Sequence, residues 1–531
     1  MRLALSVALA ALAASVALAG AARGQGALAP CLNGVAAVPD VGAFPCDRVD
    51  LVGYLSVSAF ATPASPAASA HNDVWGWTDP ETGTEYALVG TTNGTGFVDL
   101  SDPRFPRLVG KLPSANELAP VWRDVKVYRD HAFVVADNAR DHGVQVFDLT
   151  RLRGVTGDPV TFTADTVYAG VRSAHNIVVN EETGFAYAVG FRYPAGAREA
   201  LGLPPSCDLP GFHAIDVRDP KRPAFAGCFS DATLETGPRS PGYTHDAQCV
   251  VYRGPDADYR GRELCLAANE DVVTVFDVTD KANVRVVSQA FYPAAAYTHQ
   301  GWLTADHRFF LANDELDERN QGATQRTLVL DLEDLDGPEL AFAYESGLRT
   351  IDHNLYVRGR YAFESNYETG LRIVDLTDVA DGVATEVASF DTYPPGDAVS
   401  FNGQWSNYPF FESGLVVAND SNYGLFVLRP DPALAAEPEG PEDEPGDYGL
   451  SLPSPNPARD AAQLTLRLEG AERVRAELLD VAGRRLAVLF DGVASGEMPL
   501  VVQRGRLPAA VYVVRVTGET FEAARRVVFA R

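Results

Sequence analysis

The same order of short segments returns along most of this 531-residue chain. A stretch opened by His or Trp is followed by an aromatic or aliphatic stretch, then a Gly-led stretch ending in Val-Asp, then a Pro-flanked stretch. The third copy shows it: His175-Asn-Ile-Val-Val, Phe185-Ala-Tyr-Ala-Val, Gly211-Phe-His-Ala-Ile-Asp-Val, Pro223-Ala-Phe-Ala-Gly-Cys-Phe. Each piece is rich in β-branched and aromatic residues and bounded by Gly, Pro, Asp or Asn, which are strand and turn signals. The other copies align on GFVDL (96–100), VQVFDL (144–149), VVTVFDV (272–278), TLVLDL (327–332), GLRIVDL (370–376) and GLFVL (424–428). The leading positions are His71, Trp122, His175, His245, His299, His353 and Trp405, at intervals of 51, 53, 70, 54, 54 and 52 residues. An insertion near 194–210 accounts for the long interval. Four short strands per unit at this period are a propeller signature.

Closure is legible too. No fourth strand follows Leu428, yet Val49–Val57 (VDLVGYLSV) resembles the fourth-strand segment Pro106–Leu112 (PRLVGKL). The chain start is therefore expected to supply the outer strand of the last blade, which removes a free edge. The fold class expected is all-β: a seven-bladed β-propeller over 35–430, then an acidic Pro-rich linker over 431–449, then a small β-sandwich over 450–531. Within 450–531, alternating stretches at 461–468, 474–481, 486–490 and 511–516 carry the strand signal, with twelve Arg against nine acidic residues.

Residues 1–22 have one Arg, an Ala/Leu/Val run and Ala17-Leu18-Ala19, the pattern of a secretory signal peptide. No other segment is apolar enough to span a bilayer. The six cysteines (Cys31, Cys46, Cys207, Cys228, Cys249, Cys265) then favour disulfides, and proximity suggests 31–46, 207–228 and 249–265 among fifteen connectivities. A formal charge of −27 with only four lysines argues against a nucleic-acid partner. The expected address is secreted or cell surface.

The tail resembles the C-terminal sorting domain of the type IX secretion system, through Ser454-Pro-Asn-Pro457, Asp480-Val-Ala-Gly-Arg-Arg485, Leu507-Pro508, Val511-Tyr512 and Arg525-Arg-Val-Val528. That resemblance implies the type IX machinery as a partner, acting through 450–531, with release or surface attachment. The body resembles the choice-of-anchor B family of LVIVD-repeat β-propellers. The matching phrases are His71-Asn-Asp-Val-Trp-Gly-Trp77, His175-Asn-Ile-Val, His245-Asp-Ala-Gln-Cys249, Tyr297-Thr-His-Gln-Gly-Trp302, Asp352-His-Asn-Leu-Tyr356 and Trp405-Ser-Asn-Tyr-Pro-Phe-Phe411. It implies an exported propeller and no particular reaction.

Five of nine histidines occupy the leading position and Trp fills the other two. First strands of a propeller line its channel, so these seven side chains are expected to form a ring at one mouth. Neutral imidazoles of His175, His245, His299 and His353 would bind a transition metal, with Asp246 and Asp352 as orienting carboxylates. Protonated, they would hold an anion. The competing reading is structural, each ring bonding a neighbouring blade. Asn269-Glu-Asp271, Asn313-Asp-Glu315 and Asn419-Asp420 are oxygen-rich loops that would suit Ca²⁺. The repeated Asp148, Asp216, Asp277, Asp331 and Asp375 are expected as turn-formers. Nothing nominates a nucleophile, so two functions stand: a binding or scaffold module, or a metal-dependent, possibly hydrolytic enzyme using the histidine ring. A surface-layer component is a weaker third.

Overall fold

A computed structural model describes residues 28–39, 41–191, 196, 199, 202–203, 207, 211–231, 233–234, 242–434, 448–451, 458–480, 484–508, 511–518 and 522–529. The chain divides into two compact units between Ala436 and Glu437. The expected signal peptide at 1–22 lies outside the described residues, as do Ser454–Pro457 and most of the 194–210 insertion. Among the described residues no helix is long and apolar enough to cross a membrane.

The first unit is a β-propeller. Among its described residues are seven sheets, each built on four antiparallel strands in radial order. The third copy is typical: Asn176–Asn180, Phe185–Val189, Phe212–Asp216 and Ala224–Phe229 pair in sequence order. The first strands touch in a closed cycle: His71–Thr78, Arg123–Tyr128, Asn176–Asn180, Asp246–Val251, Thr298–Leu303, Asn354–Arg358, Gln404–Tyr408 and back to the first. Second strands are covered on both faces, which is why Glu85–Thr91 and Glu263–Ala268 are buried throughout and lack a polar alternation. Outer strands such as Ala224–Phe229 are half exposed.

Val49–Ser56 pairs antiparallel with Gly424–Pro430, placing Leu51 opposite Leu428 and Tyr54 opposite Phe426. This strand, which precedes the first repeat, thus completes the last sheet, as the sequence comparison expects. A register shift falls between Leu51 and Gly53. There the next blade's loop passes so close that a Cβ on Gly53 would collide with the Pro103 carbonyl oxygen. Gly110, the matching residue of PRLVGKL, meets Val160 and Phe162 in the same way. This explains the Gly shared by the two segments.

The third-strand aspartates form turns. Asp99, Asp148, Asp216, Asp277, Asp331 and Asp375 each accept, through a carboxylate oxygen, the backbone N–H two residues on, at 2.8–3.1 Å. The disulfides are Cys31–Cys46, Cys207–Cys228 and Cys249–Cys265, the pairing that proximity suggests. Unexpected from the repeat is a hairpin, Val35–Val38 with Gly42–Asp47, that adds two strands outside Thr385–Phe390.

The second unit holds Tyr448–Leu450, Ala461–Asp480, Arg485–Gln503, Val511–Thr517 and Glu522–Val528 in one hydrogen-bonded network. The stretches 461–468 and 474–481, which alternation separates, run together as one 20-residue strand with an irregularity between Leu468 and Glu472. The alternation marks which side chains face a single core of Leu464, Leu466, Leu478, Val514 and Val527, among others. Glu477 gathers Arg475, Arg485 and Arg515 at 2.9–3.0 Å.

Candidate functional site

The leading residues stand at or beside the starts of the first strands, so the fold brings them toward one axis. Their rings form an arc. Trp122 and His175 lie 6.1 Å apart between centroids, His175 and His245 4.4 Å, His245 and His299 4.4 Å, His299 and His353 4.3 Å, and His353 and Trp405 5.1 Å. His71 is elsewhere. It packs on Phe60 at 4.5 Å, and its Nδ1 donates to Asn419 Oδ1 at 2.9 Å, tying the first blade to the last. The expected ring of seven is therefore an arc of six.

Hydrogen bonds explain why histidine recurs. His245 Nδ1 donates to the His299 carbonyl (2.8 Å), His353 Nδ1 to the Trp405 carbonyl (2.6 Å), and Asn176 Nδ2 to the His245 carbonyl (3.1 Å). Each crosses to the following blade and satisfies a carbonyl that burial would otherwise leave bare. The return direction is covered as well. Asp124, Gln248 and Gln300 accept the N–H of Ile177, Leu303 and Leu355, each one blade on, at 2.7–2.9 Å. His175 differs, its Nδ1 meeting Asp137 Oδ2 at 3.1 Å.

Burial sets the charge state. It holds His245 and His299 well below the usual imidazole range, and lowers His353 to about 3 and His71 to about 4. His245, His299 and His353 are thus neutral at pH 7, which leaves no ring of protonated imidazoles across those three to capture an anion.

Beside the arc opens a small polar pocket, lined by Trp122, His175, His299, His353 and Trp405 together with the charged side chains Asp73, Asp124, Lys126 and Asp246. Lys126 Nζ lies 2.5 Å from Asp124 and 3.5 Å from Asp73, with its ammonium 4.6 Å from the Trp75 ring centre. Burial opposes that charge, but the two carboxylates hold Lys126 well above its ordinary value. Burial pushes Asp246 up to about 7, with the negative field of Asp124 adding to it. Asp246 accepts from the Ala247 N–H at 2.8 Å.

Of the other expected orienting group, Asp352 is 2% exposed and its carboxyl is raised well above the carboxylate range by burial and then by Glu318, Asp317 and Asp314. It belongs to a buried acidic group rather than to the imidazoles.

The oxygen-rich loops are mostly spent on structure. Asn419 Nδ2 donates to the Asn72 carbonyl (2.7 Å); Asp420 accepts from Thr392 and from the Asn422 and Tyr423 N–H groups (2.8 Å each). Asp314 accepts from the Ala296 and Tyr297 N–H groups at 2.7 Å, and Asn269 Nδ2 donates to Thr274 Oγ1 at 3.1 Å. Among the described residues these loops bring no shared calcium cage together. Glu315 is the exception. It leaves its loop for the arc, with Oε2 3.9 Å from His299 Nε2 and Oε1 3.6 Å from His353 Nε2. Tyr367 donates to Glu315 Oε1 at 3.0 Å, while burial lifts the Glu315 carboxyl to about 7. The sequence marks Glu315 only as a loop oxygen, because its spacing gives no link to the leading histidines of its own sheet and of the next.

All six cysteines are closed in disulfides, so no thiol serves as a nucleophile.

No family model matches this chain, and no curated protein matches it. Solved structures do. A crystal structure of a protein from Lactobacillus plantarum is similar with 14% identity and a TM-score of 0.41, over 82% of this chain and 100% of that one. The C-terminal WD40 domain of Sif2 is similar with 8% identity and a TM-score of 0.41, over 68% and 96%. A functionally unknown protein from Desulfotomaculum acetoxidans is similar with 9% identity and a TM-score of 0.38, over 80% and 98%.

Proposed function

We propose that this chain is an exported or cell-surface propeller of seven blades, spanning 35–430, that works as a binding or scaffold module. In this reading residues 1–22 are its secretory signal, 431–449 a linker, and 450–531 a type IX secretion sorting domain. The body then belongs with the choice-of-anchor B proteins it resembles. The observation that carries the binding role is the division of labour at the axis. The imidazoles and amides hold blade to blade, and what remains facing solvent is a polar cavity without a thiol or a nominated nucleophile. Three disulfides fit an oxidising compartment, where such bonds persist.

Expression in a bacterium that carries the type IX machinery tests the delivery. Full-length protein is expected in the medium or on the surface, and a chain ending at Ala436 in the periplasm. Equal delivery of both forms removes the sorting assignment. The alternative is a metal-dependent, hydrolytic enzyme at the channel mouth. It is favoured by one observation, the approach of Glu315 to two imidazoles, and it requires turnover that disappears on chelation.

A further inference from the structure

We infer that His299, Glu315 and His353 form a binding site for a divalent transition-metal ion, whichever role the propeller plays. One ligand atom from each residue lies within 4.8 Å of the others. The separations of 3.9 Å and 3.6 Å between the Glu315 oxygens and the two Nε2 atoms are too long for hydrogen bonds. They suit donors that share an ion. Bonds of about 2.0–2.2 Å at a tetrahedral angle put ligand atoms about 3.4 Å apart, so the two carboxylate–imidazole separations stand close to ligating range, and side-chain rotations of about an ångström draw in the whole set from within 4.8 Å.

The tautomer of His353 makes the case sharper. Its Nδ1 donates to the Trp405 carbonyl, which only accepts, so Nε2 carries a lone pair. That lone pair faces a carboxylate oxygen across 3.6 Å in a place where the two side chains are 3% and 15% exposed. The supporting groups are in place. The Trp405 carbonyl fixes the His353 ring and Tyr367 fixes Glu315, the arrangement by which metal sites orient their ligands. Two imidazole nitrogens and one carboxylate oxygen suit Zn²⁺, or Fe²⁺ and Co²⁺, over the all-oxygen preference of Ca²⁺ or Mg²⁺. Three protein ligands leave a coordination position for water or a ligand's donor atom. Relative to the sequence expectation, the site keeps two of four histidines and gains a carboxylate.

The test uses the full chain after chelation and dialysis. Zn²⁺ titrated against a competing chromophoric chelator is expected to bind at one ion per chain. Co²⁺ is expected to give visible ligand-field bands of a four- or five-coordinate site. Glu315→Gln keeps the volume and the Tyr367 hydrogen bond, and is expected to weaken Zn²⁺ binding by about 100-fold or more, as is His299→Gln; Tyr367→Phe weakens it by about 10- to 100-fold. His175→Ala, in the arc but outside the three, leaves affinity unchanged. Wild-type protein that binds neither ion stoichiometrically overturns the assignment, and so does tight binding that survives Glu315→Gln. If His299→Gln fails to fold, the isosteric Glu315→Gln variant and the wild-type Co²⁺ spectrum decide alone. Metal binding without any turnover supports the site while leaving the scaffold role standing.

Discussion

His213 shows what a buried imidazole costs. It sits in the third blade's third strand, its Nε2 shares a hydrogen bond with the Tyr168 hydroxyl at 2.8 Å, and burial lowers it to about 3. An unfolded chain holds the same group near 6.5. Between those values the unfolded state takes a proton that the native state refuses, so stability present above pH 6.5 is lost as pH falls toward 3, by about 1.4 kcal/mol per unit. His213→Gln removes that slope. The stability difference between the variant and wild type, from denaturant melts at pH 7 and pH 5, is expected to move by about 2 kcal/mol in the variant's favour at the lower pH. A difference independent of pH contradicts a neutral buried His213. Lysine makes a similar point about legibility. Four lysines in the sequence exclude a basic arm, but Lys111 and Lys281 prove to be buried and Lys126 mostly so, and Lys281 pairs with Glu263 at 2.5 Å over the Phe185 ring. Counting charges reports what the surface lacks. It does not report which charges the core uses, because that depends on partners far apart in sequence.

Among the elements, the strand Val49–Ser56 has the clearest task. Leu51 and Val52 are fully buried, Leu51 against the sixth- and seventh-blade core with Phe390 and Leu428. Truncating such a side chain costs about 2–5 kcal/mol. Leu51→Ala is expected to lower stability by that amount, and the same cut at half-exposed Val167, in an outer strand, by less than about 1 kcal/mol. Equal effects in thermal melts exclude a closing role. This strand was visible in the sequence because VDLVGYL and PRLVGKL meet the same constraint, a Gly beneath a passing loop. The hairpin Val35–Asp47 on the sixth blade was not, since it adds strands outside the repeat and has no second copy to reveal it. The arc of histidines was half legible. Phasing put the rings at the axis, whereas Glu315 comes from a loop whose Asn-Asp start is the pair that forms a turn at Asn419-Asp420.

At the scale of the whole molecule, two units share one chain, each built around hydrophobic clusters of its own. Calorimetry on the full chain is expected to resolve two transitions, and the larger one to keep its midpoint when the chain ends at Ala436. A lowered midpoint means that the second unit supports the propeller.

The pairing of Val49–Ser56 with Gly424–Pro430 also orders events in time. Val49–Ser56 leaves the ribosome before every other strand of its sheet, and must wait for a partner until nearly the whole propeller has been delivered, because its place is beside Gly424–Pro430. A growing chain therefore cannot close its last sheet, and the propeller stays open at that seam, until residues 424–430 have been delivered.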